Sequence, residues 1–149
     1  LLTGRSETPI LGVPDYDGFP KFLRPPGDAT IVASGHTVRI ALEAADYLLD
    51  DYNLKVGVIN LSTHAPVDER ALTLAAEKGP IVTIEDAYGG LYEIVAGIVC
   101  RVKPTRMGRV YVKTWGQSGE PAELYDLYGL SVSRLSDKVL GVVDESKFD

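Results

Sequence analysis

From Ala29 onward, apolar residues fall into short unbroken runs separated by longer amphipathic stretches. Ala29–Ser34 (ATIVAS) is a run whose length and β-branched content suit a buried strand ending at Gly35. The spacing then predicts a helix over 37–52. Val38, Leu42, Ala45, Leu48 and Leu49 recur with the helical period, while Arg39, Glu43, Asp46 and Asp50 face away. Lys55–Leu61 (KVGVINL) reads as a second buried strand. A second helix starts near Pro66, a residue tolerated in a first turn, with Asp68 and Glu69 at its positive end. Gly79 is its expected C-cap. Pro80–Ile84 (PIVTI) is a third strand, Leu91–Val102 an apolar helix and Arg109–Thr114 (RVYVKT) a fourth strand. Two short helices follow, Pro121–Tyr128 and Val132–Val143, split at Gly129, with Ser131 as N-cap of the last.

The regular part therefore reads β-α-β-α-β-α-β-α-α. Strands alternating with helices predict an α/β fold of three layers, α/β/α, around a mostly parallel sheet with right-handed crossovers. A fifth strand, an antiparallel edge strand, is expected from residues 9–13. Residues 1–28 break the pattern. They hold Pro9, Pro14, Pro20, Pro25 and Pro26, five of the nine prolines, and proline removes a donor and disfavours helix before it. This stretch reads as an extended linker, and residues 29–149 as the folded domain.

Composition narrows the class. A chain of 149 residues with 45% apolar residues buries about 68–70% of its unfolded surface in one core-forming domain. Disorder is excluded, because enough apolar surface is present to offset ordering entropy. The lone Cys100 excludes a disulfide scaffold and points to a reducing, cytoplasmic compartment. A net charge of −6 argues against a nucleic-acid binder. No run reaches the ~20 apolar residues that span a bilayer, so no membrane association is expected. The first residues, Leu1 to Arg5, do not form a signal peptide. The absence of an initial Met suggests a piece of something longer.

Candidate chemistry is sparse. Ser34-Gly35-His36-Thr37 joins a strand to a helix, whose free N–H groups can hold an anion; one glycine falls short of a dinucleotide fingerprint. His36 and His64 both follow predicted strand ends, the edge where α/β folds place ligands, and each could be a general base or a turn residue. Glu85 and Asp86 close the third strand and, being adjacent, point to opposite faces. With Gly89 and Gly90 they form a second weak anion-site candidate, though a carboxylate tied to backbone N–H groups is the plainer reading. Cys100 lies in an apolar helix and reads as buried and inert. No zinc spacing and no Gly-x-Ser-x-Gly elbow occur.

Several segments, taken in order, resemble one family. Asp28–Gly35 (DATIVASG), Ala41–Ala45 (ALEAA), Val56–Asp68 (VGVINLSTHAPVD), Ile81–Asp86 (IVTIED) with Gly89-Gly90, and Ser118–Leu130 (SGEPAELYDLYGL) are similar to the C-terminal domain of transketolase. Gly4–Pro9 (GRSETP) resembles the end of the family's pyrimidine-binding middle domain, so residues 1–28 would be the tail of that domain and the linker. Deoxyxylulose-phosphate synthase shares the Ser-Gly-x-Pro tail and is the nearest alternative, followed by the β chain of 2-oxoacid dehydrogenase E1. An alternative of another class is a stand-alone module binding a nucleotide or other anion.

The resemblance implies an enzyme that moves a two-carbon ketol unit between sugar phosphates of the pentose phosphate type. It would use thiamine diphosphate and a divalent metal, magnesium or calcium, both held by the N-terminal and middle domains. Those domains would be this chain's partners, in a homodimer. By the resemblance Arg5 would contact the substrate phosphate in the intact enzyme. The chain would supply no catalytic, cofactor-binding or metal-binding residue, would bind no cofactor alone and would be inactive alone.

Overall fold

A computed structural model describes residues 20–62, 67, 69–87, 89–112 and 128–147. Five strands, β1 (Lys21–Arg24), β2 (Ala29–Ala33), β3 (Val56–Asn60), β4 (Ile81–Ile84) and β5 (Met107–Val110), form one sheet in the order β1-β3-β2-β4-β5. Only the β1–β3 pair is antiparallel, with Lys21 opposite Asn60 and Phe22 opposite Ile59; the other pairs are parallel. The helices are α1 (Thr37–Tyr52), α2 (Glu69–Lys78), α3 (Leu91–Val102) and α4 (Val132–Ser146). The expected three-layer fold is the observed one.

Two cores flank the sheet. One joins α1 and α4 to Ile31, Val58 and Ile84. The other joins α2 and α3 to Val32, Ile59 and Ile81. Strands β2 and β4 are buried along their whole length, as helix cover on both faces requires, so their sequences read as continuous apolar runs.

The antiparallel edge strand forms at residues 21–24, inside the stretch read as linker. Residues 9–13 lie outside the described residues. Pro20 and Pro25 bracket β1, where an edge strand tolerates proline. Inward Leu23 packs on the α1 side, while Phe22 and Arg24 are exposed. β5 starts two residues earlier than the β-branched run suggests and ends at Val110, short of the expected Thr114, and its Gly108 lies against α4. A Cβ there would sit 2.8 Å from Val142 Cγ2. α4 runs three residues past Val143. Ser131 caps it, its Oγ accepting from Arg134 N at 3.4 Å. The helix expected at 121–128 lies outside the described residues apart from Tyr128, which sits in a turn.

Gly79 ends α2 for another reason than expected. Among the described residues, the glycines with positive φ are Gly35, Gly89, Gly90 and Gly129. At Gly79 the backbone is approached closely instead: a Cβ would lie 2.4 Å from Asp28 O. Asp28 also ties the strand starts together, its Oδ2 accepting from Lys55 N at 2.8 Å and its N–H donating to Lys55 O at 2.7 Å.

Candidate functional site

β2 is the pivot of the sheet. The chain leaves its carboxyl end through α1 to β3 on one side, and leaves β4 through α3 to β5 on the other. The crevice between the ends of β2 and β4 is the topological switch point, where open α/β sheets bind ligands. Gly35 (φ 58°) makes the turn there. His36 precedes α1 in a helical conformation and makes no side-chain capping bond. Its Nδ1 lies 3.6 Å from Asp86 Oδ2, with both side chains part-exposed. Beneath them, Thr37 Oγ1 lies 2.8 Å from Ser34 O and 3.0 Å from Ile84 O. One hydroxyl thus bridges the ends of β2 and β4.

The start of α3 is built from the next residues. Gly89 (φ 148°) and Gly90 (φ 124°) adopt backbone conformations that favour glycine. Glu85 is 4% exposed, and its Oε2 accepts from Leu91 N at 3.0 Å. Glu93 reaches back to accept from Gly90 N at 2.9 Å, the side-chain half of a capping box. The hydrogen bond from Gly90, then that from its own backbone N–H, with Arg109 adding to both, hold the Glu93 carboxyl below its ordinary pKa. Arg109 Nη1 lies 3.1 Å from Glu93 Oε1. Its guanidinium stacks 4.2 Å from the Tyr111 ring centroid and 5.2 Å from that of Tyr92.

The two glycine-bearing loops therefore differ. At α3, Gly90 N–H and Leu91 N–H point to the chain's own carboxylates. At α1, the first turn carries no acidic residue and no side-chain cap. The structure brings Gly35, His36, Glu85, Gly89 and Gly90 to one edge of the sheet, with Asp86 added through His36. Arg5 and His64 lie outside the described residues. Sequence reasoning missed Glu93 and Arg109. Gly90 has no side chain to complete a Ser/Thr-x-x-Glu signature, and Arg109 meets Glu93 only through the crossover from α3 to β5. Cys100 is exposed on α3 rather than buried in it. Among the described residues, no three His, Cys, Asp or Glu side chains converge as metal ligands. No described helix is long and apolar enough to cross a membrane.

Comparison with known proteins decides the family. The profile described as "Transketolase, C-terminal domain" matches residues 20–135, from the residue before β1 into α4. The chain belongs to the transketolase C-terminal domain family. It is 34% identical over 144 residues to transketolase-like protein 1 of Macaca fascicularis, covering 91% of this chain and 24% of that protein. Mouse (Mus musculus) transketolase is 32% identical over 118 residues, covering 76% of this chain and 19% of that one. The chain thus spans about a fifth to a quarter of these curated relatives. Among solved structures, one titled "Split gene transketolase, inactive beta4 tetramer" matches with a TM-score of 0.81 at 27% identity, over 89% of this chain and 44% of that one. Campylobacter jejuni transketolase, at 22% identity and a TM-score of 0.66 over 85% of this chain and 19% of that one, shares the fold. These matches do not favour deoxyxylulose-phosphate synthase or the 2-oxoacid dehydrogenase β chain.

Proposed function

We propose that this transketolase C-terminal domain works as the structural and assembly part of an enzyme that transfers a two-carbon ketol unit between sugar phosphates. The observation that carries the reading is the family match over residues 20–135, which takes in all five strands. Thiamine diphosphate and a divalent metal would supply the carbanion chemistry from the remainder of the enzyme. Among the described residues no three His, Cys, Asp or Glu side chains converge as metal ligands, and at the start of α3 the Gly90 and Leu91 N–H groups are taken by Glu93 and Glu85. We assign no chemical step to the described residues.

What its residues do is hold geometry. Thr37, Glu85 and Glu93 fix the loops at the carboxyl edge of the sheet, the edge we assign to contact with the other domains and, in a homodimer, to the assembled enzyme. The stretch ahead of β1 would be the tail of the middle domain and the linker, with Arg5 as a substrate-phosphate contact. The cytoplasm is the compartment consistent with an acidic chain carrying one thiol.

Ketol transfer is the test. The 149-residue chain, supplied with thiamine diphosphate and magnesium, is expected to show no turnover from a ketose phosphate to an aldose phosphate. Co-expression with the cofactor-binding part of the enzyme is expected to yield a complex that turns over. Turnover by the chain alone, or failure of the two parts to associate, would overturn the reading.

A further inference from the structure

The two walls of the crevice are fastened by different chemistry. On the α1 side the fastening is neutral. The fully buried Thr37 sets its hydroxyl against Ser34 O and Ile84 O, and Val38 N donates to Gly35 O. On the α3 side, backbone bonds hold the loop at Glu85 and Ala87: Glu85 N donates to Val110 O at 3.1 Å and Val112 N to Ala87 O at 3.3 Å. The ladder of α3 begins with Ile94 N donating to Gly90 O. Between these points Gly90 N and Leu91 N both donate to carboxylates, those of Glu93 and Glu85.

The two carboxylates are not equivalent. Glu85 is buried, and so is Leu91, whose N–H it takes and whose side chain sits in the α2–α3 core. Glu93 is open to water, with 58% of its side chain exposed. The turn that it closes has little else to rest on. Among the described residues, a Cβ at Gly89 would meet only the Glu93 carboxylate, at 3.7 Å, and one at Gly90 would meet nothing within 4 Å. Two glycines lose more chain freedom on being held than any other pair. A hydrogen bond to a charged acceptor is roughly twice as strong as a neutral one, so protonating Glu93 weakens its bond to Gly90 N and its pair with Arg109 together. Arg109 does not follow, because the Tyr111 and Tyr92 rings hold it independently. The other titratable groups around the turn, among the described residues, are Glu85, and Asp86 with His36.

We propose that Glu93 is an acid-sensitive latch on one wall of the crevice: ionised, it closes the Gly89–Gly90 turn onto α3, and protonated, it lets that turn open while Leu91 keeps the helix seated and Thr37 keeps the α1 wall fixed. The bonds that form the latch also hold the Glu93 carboxyl below its ordinary pKa. The latch is therefore closed through the neutral range and is released as pH falls through that lowered value. The device lies within this chain and is independent of the enzyme reading.

The test follows amide exchange by NMR in the full chain, as protection factors corrected for the intrinsic effect of pH, from neutral pH to about pH 3.5, below an ordinary glutamate. Protection at Gly90 is expected to fall about fivefold, the ordinary worth of a helix cap, while Val38 and the β2 amides keep theirs. Glu93→Gln keeps an oxygen to accept from Gly90 N and has no charge to lose. In this variant the pH step at Gly90 is expected to vanish. Glu93→Ala is expected to show the open value at Gly90 already at neutral pH, with β2 protection at the parent level as the sign that the fold is intact. Three results would each overturn the proposal: loss at Gly90 only in step with β2, equal loss at Val38, or an unchanged pH step in Glu93→Gln. Full protection of Gly90 in Glu93→Ala would do so as well, since the turn would then hold without its latch.

Discussion

Glu93 is the residue with the most connections at the candidate edge. It accepts from Gly90 N, pairs with Arg109, and starts α3. Because its folded pKa is depressed, its contribution to stability is full above the unfolded pKa and is lost as pH falls through the folded one. A carboxyl titration by NMR is expected to place Glu93 below an ordinary glutamate, and to move it back up in Arg109→Met. An ordinary midpoint in the parent chain would contradict the capping geometry. Gly79 makes a second prediction at this scale. Gly79→Ala pushes a Cβ onto Asp28 O, and overpacking of this kind destabilises by about 1–3 kcal/mol. Urea denaturation reads this directly. Gly79 was legible as a helix stop, but the reason was not, since the Asp28 carbonyl that excludes a side chain belongs to a segment 51 positions earlier.

Among the elements, legibility followed burial. β2, β3 and β4 are covered on both faces, so their apolar runs declare them. β1 is a half-covered edge strand of four residues between prolines, with too short an alternation to register. β5 begins with Met107 and Gly108, which carry no β-branched signal. The two cores give the prediction that belongs here. Leu48 of α1 and Leu72 of α2 are fully buried on opposite faces of the sheet. Truncating each to alanine is expected to destabilise by about 2–5 kcal/mol. The double variant is expected to equal their sum within ~0.5 kcal/mol, because the sites share no partner across the sheet. Strong coupling in the cycle would mean that the two layers repack together.

For the molecule as a whole, the sheet order sets a hierarchy of protection. Hydrogen exchange is expected to be slowest in β2, β3 and β4 and faster in β1 and β5, since local opening starts where burial is least. Equal protection in β1 and β2 would contradict the edge assignment. The family was legible in the sequence because its motifs lie where the fold is least free to vary: the DATIVASG strand and turn, and the IVTIED strand end with its glycine pair. The contacts between loops were not, because Thr37 reaches Ile84 O across 47 residues, a proximity only the crossovers create.

β1 has one more implication. It runs against β3 with Lys21 beside Asn60, so the chain enters the sheet at the carboxyl edge of the parallel strands. The nineteen residues ahead of Pro20 therefore join the fold on the same side as His36, Asp86 and Glu85. Entry point and crevice thus lie along one edge of the sheet, with β3 between them. A residue substituted at the ends of β2 or β4 is therefore on the same rim as the chain's entry into the fold, whereas one substituted at Asp28 or Gly79 is on the opposite rim.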